Sequence, residues 1–133
     1  MKKNLKIFTK MHKSTNRDYI GRMFNDKINS MIKAKKFEFD YWDGHRNHGY
    51  GGYKYIPGKW TPVAKKLIKQ YKLDSNSKVL DVGCGKGFLL YEIKKLIPQI
   101  HVSGFDISRH GIKNAKQEIK KNLFIHDARK NFQ

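Results

Sequence analysis

The chain is 133 residues long, with 38% apolar residues and a formal net charge of +18, enough for one folded domain and too short for two comfortable ones. No apolar run approaches the roughly 18 residues of a membrane-spanning helix, and the lysines of the first ten residues lead into no apolar core of signal-peptide length, so no membrane partner and a cytoplasmic location are expected. A single cysteine, Cys84, excludes an internal disulfide and, without a second ligand type at a recognisable spacing, a zinc site.

The charge would point to nucleic acid if it were gathered into a patch. It is spread instead: residues 1–60 and 61–133 each carry +9, and lysine heavily outnumbers arginine, the better tool for forked phosphate recognition. A solvated lysine-rich surface is the favoured reading, with a basic nucleic-acid-binding module as the rival, its aromatics stacking on unpaired bases.

Residues 1–13 read as a basic leader. Thr15-Asn16-Arg17-Asp18 fits the capping-box pattern, and Ile20, Phe24, Ile28, Met31 and Ile32 keep one face apolar to about Lys36, which predicts a helix slightly weakened by Gly21. From Phe37 to Trp60 the character changes: eight of the seventeen aromatic residues fall here among five glycines, which argues against a regular helix. Such a segment can form a lid or substrate wall, with Trp42, Asp43, Arg46 and His48 as substrate contacts, or a loop that simply packs its rings over the core. His45 and His48 lie three apart without cysteine or an H-E-x-x-H pattern, so no metal is expected.

Thr61-Pro62 reads as an N-cap followed by proline at the first helical position, and Val63, Leu67 and Ile68 carry the apolar stripe to about Tyr71. After a polar turn at residues 74–77, Val79, Leu80 and Val82 predict a buried strand, and Phe88, Leu89, Leu90, Ile93, Leu96 and Ile97 a helix that Pro98 stops. Between them lies Asp81-Val82-Gly83-Cys84-Gly85-Lys86-Gly87. Gly83 suits the positive φ of a tight turn, Gly85 lets a ligand approach the backbone, and Gly87 lets helix and strand pack closely. A dinucleotide fingerprint would need glycine or alanine where this chain has Phe88, so NAD is disfavoured. A second strand, with Ile100, Val102 and Phe105, ends in Asp106; Ser108 can cap a helix carrying Ile112, Ala115 and Ile119; and a third strand from Leu123 to His126 ends in Asp127-Ala128.

The D-x-G-x-G-x-G turn, set between strand and helix and followed twenty-five residues later by an acid at a second strand end, resembles the class I S-adenosylmethionine-dependent methyltransferases. The resemblance implies an enzyme of Rossmann-like α/β fold whose N-terminal part has a three-stranded parallel sheet in the order 3-2-1. It implies that Asp106 holds the ribose diol with Ile107 against the adenine, and that Gly83, Cys84, Gly85 and Gly87 border the methionine end, with Asp81 nearby through its amino group or a water. It further implies that Asp127 and Ala128 face the adenine amine. The division expected is a leader with helix and lid-like segment over residues 1–60 and a partial cofactor-binding domain over residues 61–133.

The family continues with strands four to seven, and the expectation is a truncated N-terminal half whose first strand is left at the sheet edge with an apolar flank. The expected acceptor is a small molecule, and the leader resembles that of a bacterial methyltransferase subgroup sometimes linked to cell-surface saccharide synthesis. A catalytic residue is not assigned. The alternatives are a cofactor-binding or partner subunit without activity of its own, with a second chain or self-association completing the sheet, and the nucleic-acid module.

Overall fold

The computed structural model describes residues 18–24 and 26–131. In place of one helix up to Lys36 there are two, α1 (Tyr19–Phe24) and α2 (Lys27–Ala34). Asp26 stands between them with φ 26°, its carboxylate accepting a hydrogen bond from the Asn29 side chain at 2.6 Å. This local side-chain bonding competes with helix continuation. Asp18 itself caps α1, accepting from the Gly21 N–H at 2.8 Å, while Thr15 and the basic leader lie outside the described residues. One further helical turn, α3 (Phe39–Trp42), interrupts the glycine- and aromatic-rich segment that was expected to be irregular throughout.

Next comes α4 (Thr61–Tyr71), with proline in its first turn as expected. Thr61 does not cap it: the hydroxyl donates instead to Glu92 at 2.8 Å. Three parallel strands follow, β1 (Lys78–Val82), β2 (His101–Asp106) and β3 (Leu123–Ile125), with α5 (Phe88–Leu96) joining the first two and the short α6 (Arg109–Lys113) and α7 (Gln117–Lys120) joining the last two. The sheet order β1-β2-β3 is the 3-2-1 arrangement that the resemblance implied, with Val79 opposite Val102 and Phe105 opposite Phe124. Ser108 caps α6 as expected, its Oγ accepting from the Gly111 N–H at 2.8 Å. The single helix predicted after it breaks at residues 114–116, where the Asn114 amide donates to the His110 carbonyl.

One face of the sheet carries the core. Leu90, Ile93, Ile100, Val102, Ile112, Ile119 and Leu123 pack there with Ala64 from α4. The opposite face corrects a sequence expectation: Leu80 and Val82, read as buried, are 53% and 56% exposed. Alternation along a strand says which residues share a face, and cannot say whether that face is covered. Phe105 on this side is buried beneath Phe124 and His126. Among the described residues β1 has a single neighbour, so it forms the sheet edge.

A buried acid fastens α5 to the segment before α4. Glu92 is 1% exposed and accepts from the Tyr55 hydroxyl and from Thr61, and the first of these bonds holds the Tyr55 pKa up at about 12. Because Ile93 is buried beside it in the centre of the core, Ile93→Ala is expected to lower unfolding free energy by about 2–5 kcal/mol, measured by urea denaturation.

Candidate functional site

The glycine turn leaves β1 without leaving β2, because the N–H groups of Gly83 and Cys84 both donate to the Phe105 carbonyl, at 2.9 and 3.0 Å. Gly83 has φ 77° and Gly85 φ 57°, a region that costs L-residues about 1–2 kcal/mol. Their surroundings differ. A Cβ on Gly83 would meet nothing within 4 Å, whereas one on Gly85 would come within 2.6 Å of Trp42 Cη2. The open approach read at Gly85 is therefore found at Gly83, and Gly85 is the seat of an indole. Gly87 does allow close packing, since a Cβ there would lie 2.5 Å from Ile119 Cδ1.

Asp106 ends β2 facing this turn. Its carboxylate is buried and accepts from the Gly85 N–H and from the Ser108 N–H, both at 2.8 Å. A carboxylate offers about four lone-pair sites, so two bonds fix its orientation without exhausting it. Asp106 and the neighbouring Gly83, Ile107, Asp127 and Ala128 form one wall of a cleft of about 770 Å³. Asp127 accepts from three Arg129 donors, Nε, Nη2 and the backbone N–H, and these hold its carboxyl well below the usual range.

The opposite wall comes from the leader: Phe37, Tyr41, Trp42 and Tyr50 line it. Trp42 is 7% exposed, and its Nε1–H donates to Ser108 Oγ at 2.9 Å and to the Phe37 carbonyl at 3.0 Å. Glu38 accepts from the N–H groups of Arg109 and His110 at the start of α6. Asp43 receives Lys86 Nζ at 2.7 and 2.8 Å and lies 2.6 Å from His110 Nε2. Residues 38–43 are thus pinned both to the glycine turn and to the loop after β2.

Of the residues expected near a substrate, Trp42 lines the cleft, while Asp43 is engaged as described. The Arg46 guanidinium donates to the Tyr50 carbonyl, and His48 Nδ1 lies 3.5 Å from Asp40. Lys86, Glu38 and His110 were not singled out from the sequence. Lys86 sits in the motif itself, but no spacing announces a partner 43 residues away.

A second cavity, of about 330 Å³, lies where β1 ends against α4 and the aromatic segment. Asp81 is its single charged lining residue, with Trp42, Tyr50, Tyr53, Trp60 and Phe88 around it. Burial and then the nearby Asp106 raise the Asp81 pKa. Burial, followed by the charges of Asp81 and Asp106, pushes the Cys84 thiol up to about 12, so this cysteine is no ready nucleophile.

Residues 73–132 match the family model described as a methyltransferase domain. Malonyl-[acyl-carrier protein] O-methyltransferase of Bacillus anthracis is 30% identical over 60 residues, which cover 44% of this chain and 22% of that protein. The matched stretch holds the glycine turn, Asp106 and all three strands, and supports a class I S-adenosylmethionine-dependent methyltransferase. The chain spans less than a quarter of the length of the relative it matches.

Two outcomes test the supports of the site. Asp106→Ala removes a buried carboxylate that holds two backbone donors, and should cost about 3 kcal/mol or more, seen as a lowered midpoint of thermal unfolding even without ligand. For Asp43, partial burial works to raise the pKa, but the bonds to His110 and Lys86 outweigh it and hold the carboxyl at about 2, against an ordinary 3.8. The native state therefore binds the proton less readily, and the stabilisation is complete above about pH 4 and lost as pH falls through about 2. Urea unfolding of wild type and Asp43→Asn should show a stability gap that narrows over that interval.

Proposed function

We propose that this chain is the cofactor-binding part of a methyltransferase, taking S-adenosylmethionine with its nucleoside in the larger cleft and its methionine end at the glycine turn. The observation that carries this reading is the open approach at Gly83 between two carboxylates, Asp106 at one strand end and Asp81 at the other. The residues fit the group. Asp106 keeps acceptor capacity for vicinal hydroxyls, Ile107 is exposed toward the same cleft, and Asp127 and Ala128 border its far side. Asp81 offers a carboxylate to an ammonium, beside Cys84, Gly85 and the turn that leads into Gly87.

When bound, the cofactor supplies a methyl group already activated by the positive charge on sulfur. The residues of this chain hold and orient, and positioning of that kind can account for much of the rate of such a transfer. The aromatic wall from residues 37–50 excludes water from one side of the cleft. Asp43, Arg46 and His48 serve here as supports of that wall, with Trp42 as the part that reaches the ligand. No residue is assigned as a base. The acceptor in this reading is a small molecule, and the O-methyltransferase activity in the relative's name favours an oxygen as the atom methylated. The division at residue 60 is then one of sequence character only, since both parts build the cleft.

Calorimetric titration with S-adenosylmethionine tests the proposal, with Gly83→Ala as the control. An alanine there meets no protein atom but projects into open space from a strained φ. Wild type should bind saturably, and the variant should stay folded by circular dichroism while binding at least tenfold more weakly. Absence of binding by folded wild-type protein would refute the assignment.

A further inference from the structure

A third cavity, of about 600 Å³, is lined by residues 51–55, by Lys86 and Phe88 at the start of α5, and by residues 114–116 between α6 and α7. No residue assigned to the cofactor lines it. Its charged lining residues are Asp43, Lys54, Lys86 and Lys116. Two of these answer each other: Lys86 Nζ gives its three donors to the Asp43 oxygens, at 2.8 and 2.7 Å, and to the Tyr53 carbonyl at 2.7 Å. Lys54 and Lys116 remain, and among the described residues neither ammonium has a hydrogen bond or a carboxylate partner. Two other acids act on Tyr55, but Glu92 is engaged with Tyr55 and Thr61, and Glu118 does not line the cavity.

Lys116 is held in place without being neutralised. Its Nζ lies 4.2 Å from the centroid of the Tyr55 ring and 4.9 Å from that of Tyr91. Ring quadrupoles attract a cation but carry no net charge, so the ammonium is positioned and still lacks a counter-ion. The neutral polar groups of the lining are engaged: the Tyr55 hydroxyl with Glu92, the Tyr53 hydroxyl with Trp60, and the Asn114 amide with the His110 carbonyl. The two lysines are therefore the side-chain donors available to a ligand. Phe88 and Ala115 add an apolar wall, and at Gly52, with φ 106°, a Cβ would meet nothing within 4 Å, which leaves the backbone open to close approach.

We propose that this cavity binds a small organic phosphate, its phosphate held by Lys54 and Lys116 and its carbon body set against Phe88 and Tyr55. A lysine ammonium is a compact point charge that reads charge more than shape. Two unmatched ammoniums in one cavity call for two negative charges, and near pH 7 a phosphate monoester brings about 1.5–2 on a single group where a carboxylate brings one. The site is additional to the cofactor cleft and does not depend on the methyltransferase reading. Its ligand ties residues 51–55 to the bend between α6 and α7, and so fastens the aromatic segment at its far end as Glu38 fastens it near its start.

Calorimetric titration with phenyl phosphate at fixed ionic strength tests this, with benzoate as the singly charged aromatic control. Wild type should bind phenyl phosphate saturably at one site, at least about threefold more tightly than benzoate. Lys116→Gln should weaken that binding about tenfold and Lys54→Gln about threefold. Lys54 is exposed and makes no bond, so its variant keeps the fold even if Lys116→Gln does not. Lys95→Gln, at an exposed lysine in the last turn of α5, and Gly83→Ala, in the glycine turn, should leave phenyl phosphate affinity unchanged. An equal loss in Lys95→Gln would reduce the binding to diffuse attraction by the lysine-rich surface, and a loss in Gly83→Ala would move it to the cofactor cleft; either overturns the site. Equal affinity for benzoate, or no binding by folded wild type, overturns it as well. A single-stranded oligonucleotide that displaces phenyl phosphate, and whose own binding is lost in both cavity variants, would give the site to nucleic acid and overturn the small-molecule assignment.

Discussion

A carboxylate that accepts two backbone N–H groups from different loops fixes the distance between those loops, and Asp106 does this for the two loops that matter here. One bond goes to Gly85 in the turn after β1, the other to Ser108 at the start of α6. Ser108 in turn caps α6 through its hydroxyl and receives the Trp42 indole. Remove the carboxylate and three elements lose their common reference. Because the oxygens are buried, the bonds are made in a medium where an unpaired donor is expensive, so the geometry of the turn is set before any ligand arrives.

The leader is built into this frame. Lys86 is 5% exposed, and an ammonium so enclosed needs its counter-charge supplied nearby; Asp43 supplies it from the segment that Glu38 and Trp42 also fasten to the loop after β2. The Trp42 ring then fills the space above Gly85 that the missing side chain leaves. The aromatic wall of the cleft depends on a salt bridge and a glycine together.

How much of this was legible in the sequence follows from the range of each interaction. The strand, turn and helix around the D-x-G-x-G-x-G stretch are local, as is the Ser108 cap, and the sheet order follows from the family resemblance that the motif carries. The strand-end acid Asp106 could be found by its position after an apolar run, but its double bond to the backbone could not. The pairing of Asp43 with Lys86 and of Trp42 with Ser108 spans 43 and 66 residues, and no periodicity encodes such contacts. Thr61 had the identity of a cap and met a stronger acceptor in Glu92. The apolar face of Leu80 and Val82 has the composition of a buried strand, since hydrophobic pattern reports what a strand could bury and not what lies opposite it.

These separations also order the events of folding. The β1–α5–β2 unit closes over about twenty residues, while residues 38–43 need both the glycine turn and the loop after β2 in place before Glu38, Trp42 and Asp43 find their partners. Loop-closure entropy rises with the chain enclosed, and contacts of long sequence separation form late. The cleft therefore acquires its second wall at the last stage of chain collapse. A newly made protein is therefore expected to complete its sheet before its site, with the rings of residues 37–60 still in water at that stage.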